Sequence, residues 1–152
     1  SNPSQHVKDL VDARDQYRCV RCGKPFHWSG FSRHHRRLRS HKWPGLHEAS
    51  NLILACGSGD TGCHGWIHAH PREAMSLGYI VSGFNDHPEL VPILTAQHGW
   101  VLLDDKGVGR DANRRSSKPV VHPVCRDPQF RRALHKLDPV LFSRFTNGEV
   151  WL

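Results

Sequence analysis

The sequence predicts a small, zinc-stabilised α+β domain with an N-terminal helix and a C-terminal extension. Three observations predict it. Short helix-like and strand-like runs are mixed along the chain with no internal repeat. Only 38% of the 152 residues are apolar, lean for a single large core, and small domains often add a metal where core burial runs short. Four of the five cysteines form two close pairs, Cys19 with Cys22 and Cys56 with Cys63.

The elements follow in chain order. Residues Ser4 to Tyr17 read as a helix, with Val7, Leu10, Val11 and Arg14 on one face and Ser4 as N-cap. Cys19-Val-Arg-Cys22 followed by Gly23 is a C-x2-C knuckle, a tight turn in which glycine relieves the backbone. Strand-like runs lie around Phe31–Leu38 and Asn51–Ala55. The Gly-Ser-Gly-Asp-Thr-Gly linker between Cys56 and Cys63 is small and flexible enough to loop out. Gly62 to His68 starts a helix, and Pro71 opens a further helical stretch through Leu77 that Gly78 ends. Tyr79-Ile80-Val81 and Trp100-Val101-Leu102-Leu103 read as strands, the second running into the turn Asp105-Lys106-Gly107. Gly109 to Lys118 reads as a mobile basic linker. Pro119 to Leu152 reads as one or two short helices broken at Pro139, with Phe130, Leu134, Leu137, Leu141 and Phe145 as apolar residues. The expected division is a main domain at 4–82, a short β extension packed on it at 83–108, and a linker with a C-terminal helical segment at 109–152.

Charge and location come next. A formal charge of +7 and a sequence pI near 9.5 attract polyanions, of which nucleic acid is the commonest for a basic protein. A membrane surface is the weaker partner, because no long basic amphipathic helix is evident. No stretch approaches the roughly 18 apolar residues of a membrane span, and no signal-peptide core opens the chain. The expected location is therefore the cytoplasm, where thiols stay reduced and cysteines serve better as metal ligands than as disulfides. Four thiolates at Cys19, Cys22, Cys56 and Cys63 would close a tetrahedral structural Zn²⁺ site. Ordinary buried cysteines are the alternative, and the second pair weighs against it. Cys125 lies outside the cluster and reads as a free thiol.

Eight of the 13 histidines lie between His27 and His70. His34 and His35 are adjacent, so on an extended segment one imidazole can bind a metal while the other faces a substrate. His64 and His68 are four apart, which on a helix puts both on one face, able to share a metal with a third ligand. Neutral imidazole suits zinc, nickel, copper and iron better than magnesium.

The order Cys-x2-Cys, His-His, Asn, Cys…Cys-His-x3-His resembles the zinc-knuckle branch of the HNH endonucleases, which have a ββα-metal, treble-clef-like fold. The stretch from Cys56 to His68 is especially similar to HNH proteins of actinobacterial phages, and the likeness runs from about Cys19 to Gly78. The resemblance implies that His35 is the general base and His34 a metal ligand. It implies that Asn51 fixes the loop that orients the base, and that His64 and His68 complete the metal site, as in the nuclease colicins. It further implies a catalytic divalent metal (Mg²⁺, Mn²⁺, Ni²⁺ or Zn²⁺) and double-stranded DNA as substrate, nicked or cut. A phage or mobile-element origin, phage packaging proteins as partners, and a monomer or weak dimer belong to the same expectation; a phage-encoded chain would act in the host cytoplasm.

An imidazole with an ordinary pKa near 6.5 is half-ready as a base at neutral pH. Arg33, Arg36, Arg37 and Arg39 flank the histidine pair and, with Lys42, are candidates to hold the phosphate backbone. Trp28, Trp43 and Trp66 are expected to pack the domain rather than stack on bases. Two rival readings remain: a non-catalytic zinc module that binds nucleic acid, and a scaffold whose C-terminal segment docks on a protein such as a packaging motor. Arg110, Arg114, Arg115 and Lys118 would extend a DNA footprint.

Overall fold

The computed structural model describes residues 1–26 and 30–113. The expectations for Trp28, Arg114, Arg115, Lys118, Cys125 and the helices after Pro119 lie outside the described residues. The described chain is a small α+β structure with antiparallel sheets.

Helix α1 spans Gln5–Arg14, and the Ser4 hydroxyl accepts from the amide of Val7 at 3.2 Å, the N-cap that the sequence predicts. The helix ends earlier than Tyr17 because the chain reverses there. Gln16 and Tyr17 adopt positive φ of 57° and 54°, a conformation that a helix cannot continue through. Strand β1 (Phe31–His35) pairs antiparallel with β2 (Leu52–Cys56), His34 opposite Ile53 and His35 opposite Leu52. Helices α2 (Gly62–Ala69) and α3 (Pro71–Ser76) follow at once. A meander of β3 (Ile93–Thr95), β4 (Gly99–Leu103) and β5 (Gly109–Asp111) closes the described chain.

The core joins both sheets. Ile53 of β2, Ile67 of α2, Ala74 of α3, and Ile93, Val101 and Leu103 of the meander belong to one buried cluster with Val20, Tyr79 and Ile80. A smaller cluster of Val11, Ala49 and Leu52 seats α1 on the hairpin. No helix among the described residues is long and apolar enough to cross a membrane.

Three sequence expectations are corrected. Tyr79-Ile80-Val81 is buried but forms no strand. The amides of Tyr79 and Ile80 cap α3 by donating to Ala74 O, and Val81 donates to Arg36 O, so no ladder is left to form. Gly78 makes this turn possible. Its φ is +82°, and a β-carbon there would sit 2.0 Å from Pro92 O. The second correction is at the start of the expected linker, where Gly109–Asp111 is strand β5, paired with Leu103–Val101.

The third correction is Arg36, expected on a DNA-facing surface and instead fully buried. Its guanidinium donates to four backbone carbonyls: Gly78 at 2.8 Å, Ser50 at 3.1 Å, Pro88 at 3.0 Å and Val91 at 2.7 Å. These belong to segments far apart in sequence, so one cation ties β1 to the turn before β2 and to the chain leading into the meander. Burial, and secondarily the nearby Arg14, push its pKa down to about 9. Only a planar fork of five donors serves so many acceptors at once. Arg36→Lys is therefore expected to keep the charge yet destabilise the fold by about 3 kcal/mol, since several buried carbonyls lose their donor. Urea unfolding measures this, and an unchanged midpoint would overturn it.

Candidate metal centres and cleft

The cysteine cluster is built from three segments: the knuckle before β1, the end of β2 and the first turn of α2. The Cys19, Cys22, Cys56 and Cys63 sulfurs all lie within 4.8 Å of one another, all four cysteines are free, and only Cys22 is exposed. Cys22 Sγ and Cys56 Sγ are 3.8 Å apart. A disulfide requires about 2.05 Å, whereas two sulfurs each about 2.3 Å from a tetrahedral zinc stand about 3.8 Å apart. The spacing is that of ligands.

The surroundings also suit thiolates. Cys63 N donates to Cys56 Sγ at 3.4 Å, and Arg21 Nη1 donates to Cys63 Sγ at 3.4 Å. The same guanidinium lies 3.7 Å over the Trp66 ring. Burial pushes the Cys19 and Cys63 thiols up, so these two become thiolates only with a cation beside them. The linker between Cys56 and Cys63 is shaped rather than merely flexible. Gly57 has φ +85°, and a β-carbon there would meet Thr61 O at 2.0 Å. The four cysteines could thus hold a structural metal such as zinc.

The histidines form a second group. His34 on β1 meets His64 and His68 on α2 in a nearly equilateral triangle, with ring centroids 5.0, 5.4 and 4.9 Å apart. Their candidate ligand nitrogens lie within 4.8 Å of one another. His64 Nε2 and His68 Nε2 are 3.1 Å apart, close to the roughly 3.4 Å between two nitrogens on a tetrahedral zinc.

Two tautomers follow from hydrogen-bond polarity. His34 Nε2 lies 2.9 Å from Tyr79 O, which can only accept, so Nε2 carries the proton and Nδ1 keeps its lone pair. Ser32 Oγ donates to Gly57 O at 3.0 Å and so accepts from His64 Nδ1–H at 2.5 Å. His64 Nε2 is then left bare, facing His68. Burial above all, then the neighbouring His64, lowers the His34 pKa to about 3, and burial also lowers that of His64.

His35 turns away from this triangle. Its Nε2 lies 3.0 Å from His47 Nδ1. Burial first, and then the charge of a protonated His47, push its pKa down to about 4. This corrects the expectation of a half-protonated imidazole: excluding solvent disfavours the cation, so His35 is neutral at pH 7. His34, His35, His64 and His68 nevertheless line one cleft of about 310 Å³, together with Leu38, Arg39 and Ser40.

Asn51 is buried beneath the loop between the strands. Its Oδ1 accepts from Arg37 N at 2.7 Å, and its Nδ2 donates to Arg37 O at 3.2 Å and Leu46 O at 2.9 Å. One side chain therefore ties together both ends of the loop that follows His35 and carries His47.

The expected basic face is smaller than the sequence suggests. Arg33 forks onto the Asp12 carboxylate. Arg36 is the buried tie described above. Arg37 pairs with Asp86, donates to Asn85 O, and lies 4.8 Å over the Trp43 ring. Arg39 and Lys42 are the two of the five that are exposed. Trp43 and Trp66 are half-buried under arginines, where they pack. Sequence reasoning missed His47, Ser32 and Arg21. Only His47 left a trace, as one imidazole among eight in this stretch. No family model, curated protein or solved structure matches this chain.

Proposed function

We propose that the chain is a metal-dependent endonuclease of the HNH type that hydrolyses phosphodiester bonds in DNA. One observation carries this reading: three imidazoles with ligand spacing open into the same cleft as a fourth, uncharged imidazole that is not part of the triangle. A module that only binds nucleic acid needs the cysteine cage and the basic residues, but it has no use for this division among histidines. The order β1, β2, α2, with His34 and His35 on the first strand and His64 and His68 on the helix, is also the order expected of a ββα-metal fold.

His34 through Nδ1, His64 through Nε2, and His68 would hold a divalent cation. When bound, such a cation polarises the scissile phosphate and stabilises charge on the leaving oxygen. His35 accepts the proton of the attacking water, for which a neutral imidazole is required. Asn51 holds the loop that positions it, and Arg39 at the cleft wall, whose Nη2 also donates to Ser1 O, offers a cationic contact to a neighbouring phosphate. A plasmid-nicking assay with Mn²⁺, Mg²⁺, Ni²⁺ or Zn²⁺ against EDTA tests the reading. Nicking that depends on added metal is expected. Absence of cleavage under every metal leaves the non-catalytic zinc module as the better reading.

The tautomer chain yields a finer expectation. Ser32→Ala removes the acceptor that keeps the proton on His64 Nδ1, so the cation at the histidines should bind about 10- to 100-fold more weakly. Calorimetric titration with the metal checks this, and the zinc held by the cysteines should be unaffected.

A further inference from the structure

Phe84 is the most exposed of the large apolar side chains among the described residues, at 101% of its reference area. It is not on a loose loop. Phe84 N donates to Ser82 Oγ at 3.2 Å, and Asn85 N to Ser82 O at 3.0 Å. The turn is clamped at both ends to the loop that follows His35: Val81 N donates to Arg36 O at 2.8 Å, and the Arg37 guanidinium holds Asn85 O and the Asp86 carboxylate. Gly83 lies flat against the His41 imidazole, where a β-carbon would come within 2.7 Å of Nδ1. His41 directly follows Leu38, Arg39 and Ser40, which wall the histidine cleft. The fold therefore fixes an exposed aromatic ring on a turn that packs against the loop walling that cleft.

The neighbourhood indicates what meets the ring. The exposed side chains on the facing loop include the cations Arg39 and Lys42 beside Ser40, His41 and Pro44, and the acid of the turn, Asp86, is already paired with Arg37. A protein-docking patch would gather several apolar side chains, but the residues that flank Phe84 along the turn, Gly83, Asn85, Asp86 and His87, are small or polar. A ligand with flat apolar faces and an anionic edge fits both features, and a nucleobase on its phosphate chain has that form. We infer that Phe84 is a base-stacking contact for a nucleic-acid strand lying across the histidine cleft. The inference rests on the nuclease reading and adds a binding contact to it.

The test uses the full chain in its zinc-loaded form and a set of single-stranded DNAs, each with a single 2-aminopurine scanned across the bound region. Because the ring packs against nothing among the described residues, Phe84→Ala should unfold at the wild-type temperature. Its affinity should fall about 5- to 100-fold, the range seen for loss of one aromatic–base stack. The logarithmic salt slope should stay unchanged, whereas Arg39→Ala or Lys42→Ala should lower it by about one. Phe84→Trp should restore affinity, and the wild type should change 2-aminopurine emission at one position where Phe84→Ala does not. If the wild type binds the single strands and Phe84→Ala binds them within twofold, the stacking contact is wrong while the nuclease reading stands. If the wild type binds no DNA at any salt concentration, the nuclease reading itself fails. A change in self-association of Phe84→Ala, with DNA affinity intact, would assign the ring to a second copy of the chain instead.

Discussion

Cys19→Ser is expected to leave the chain largely unfolded at room temperature, the largest effect of any single substitution in the described region. The reason lies in what the cysteines join. Cys19 and Cys22 precede β1, Cys56 ends β2, and Cys63 opens α2, so a cation among them would anchor three segments at one point. Binding of structural zinc contributes about 10–16 kcal/mol in zinc-finger peptides, as much as or more than the roughly 5–15 kcal/mol by which a whole domain is stable. The apolar cluster that seats α1 on the hairpin is small, Val11, Ala49 and Leu52 with Val7 against them, so it offsets little of such a loss, and the larger cluster joins the hairpin to α2, α3 and the meander. Position should grade the effect. Cys19 is fully buried and Cys22 exposed, so Cys22→Ser, where water can replace the ligand, should be milder. Circular dichroism with a zinc count on each variant checks the ranking. A folded, zinc-free Cys19→Ser protein with wild-type unfolding behaviour would show that the cluster is only a set of buried thiols.

The cysteine cluster was legible because spacing alone constrains it: a two-residue knuckle has few conformations, and a second close pair supplies the other ligands. His64 and His68 were legible for the same kind of reason, as helical geometry fixes where residues four apart project. The arginines were not. A run such as Arg33 to Arg39 reads as a solvated face, because arginine is usually found there. What drew Arg36 inside is a set of carbonyls on Ser50, Gly78, Pro88 and Val91 that converge only once the chain has folded. Tyr79-Ile80-Val81 failed for a related reason. An apolar run reports burial, but whether its amides enter a ladder or cap a helix depends on partners that periodicity does not reveal. His47 could not be singled out among its neighbours, since only the fold of the 36–47 loop brings its Nδ1 to His35.

The sharpest separation expected at the cleft is between His35 and His34. His35→Ala should lower the cleavage rate by about 10²- to 10⁴-fold, the usual contribution of a positioned base, while leaving the cation at the histidines bound. The geometry supports this division: His35 Nε2 faces His47, and the ligand triangle is closed by His34, His64 and His68 without it. His34→Ala removes one of the three nitrogens, together with its anchor on Tyr79 O, so metal affinity and cleavage should fall together. A nicking assay run beside a metal titration on both variants distinguishes them, with added imidazole expected to restore part of the rate in His35→Ala alone. Full cleavage by His35→Ala would remove it from the role of base. His47, whose Nδ1 is 3.0 Å from His35 Nε2 and whose Nε2 lies 2.9 Å from the exposed Ser1 Oγ, would then be the next candidate, because it alone among the described histidines is held against His35 by a hydrogen bond.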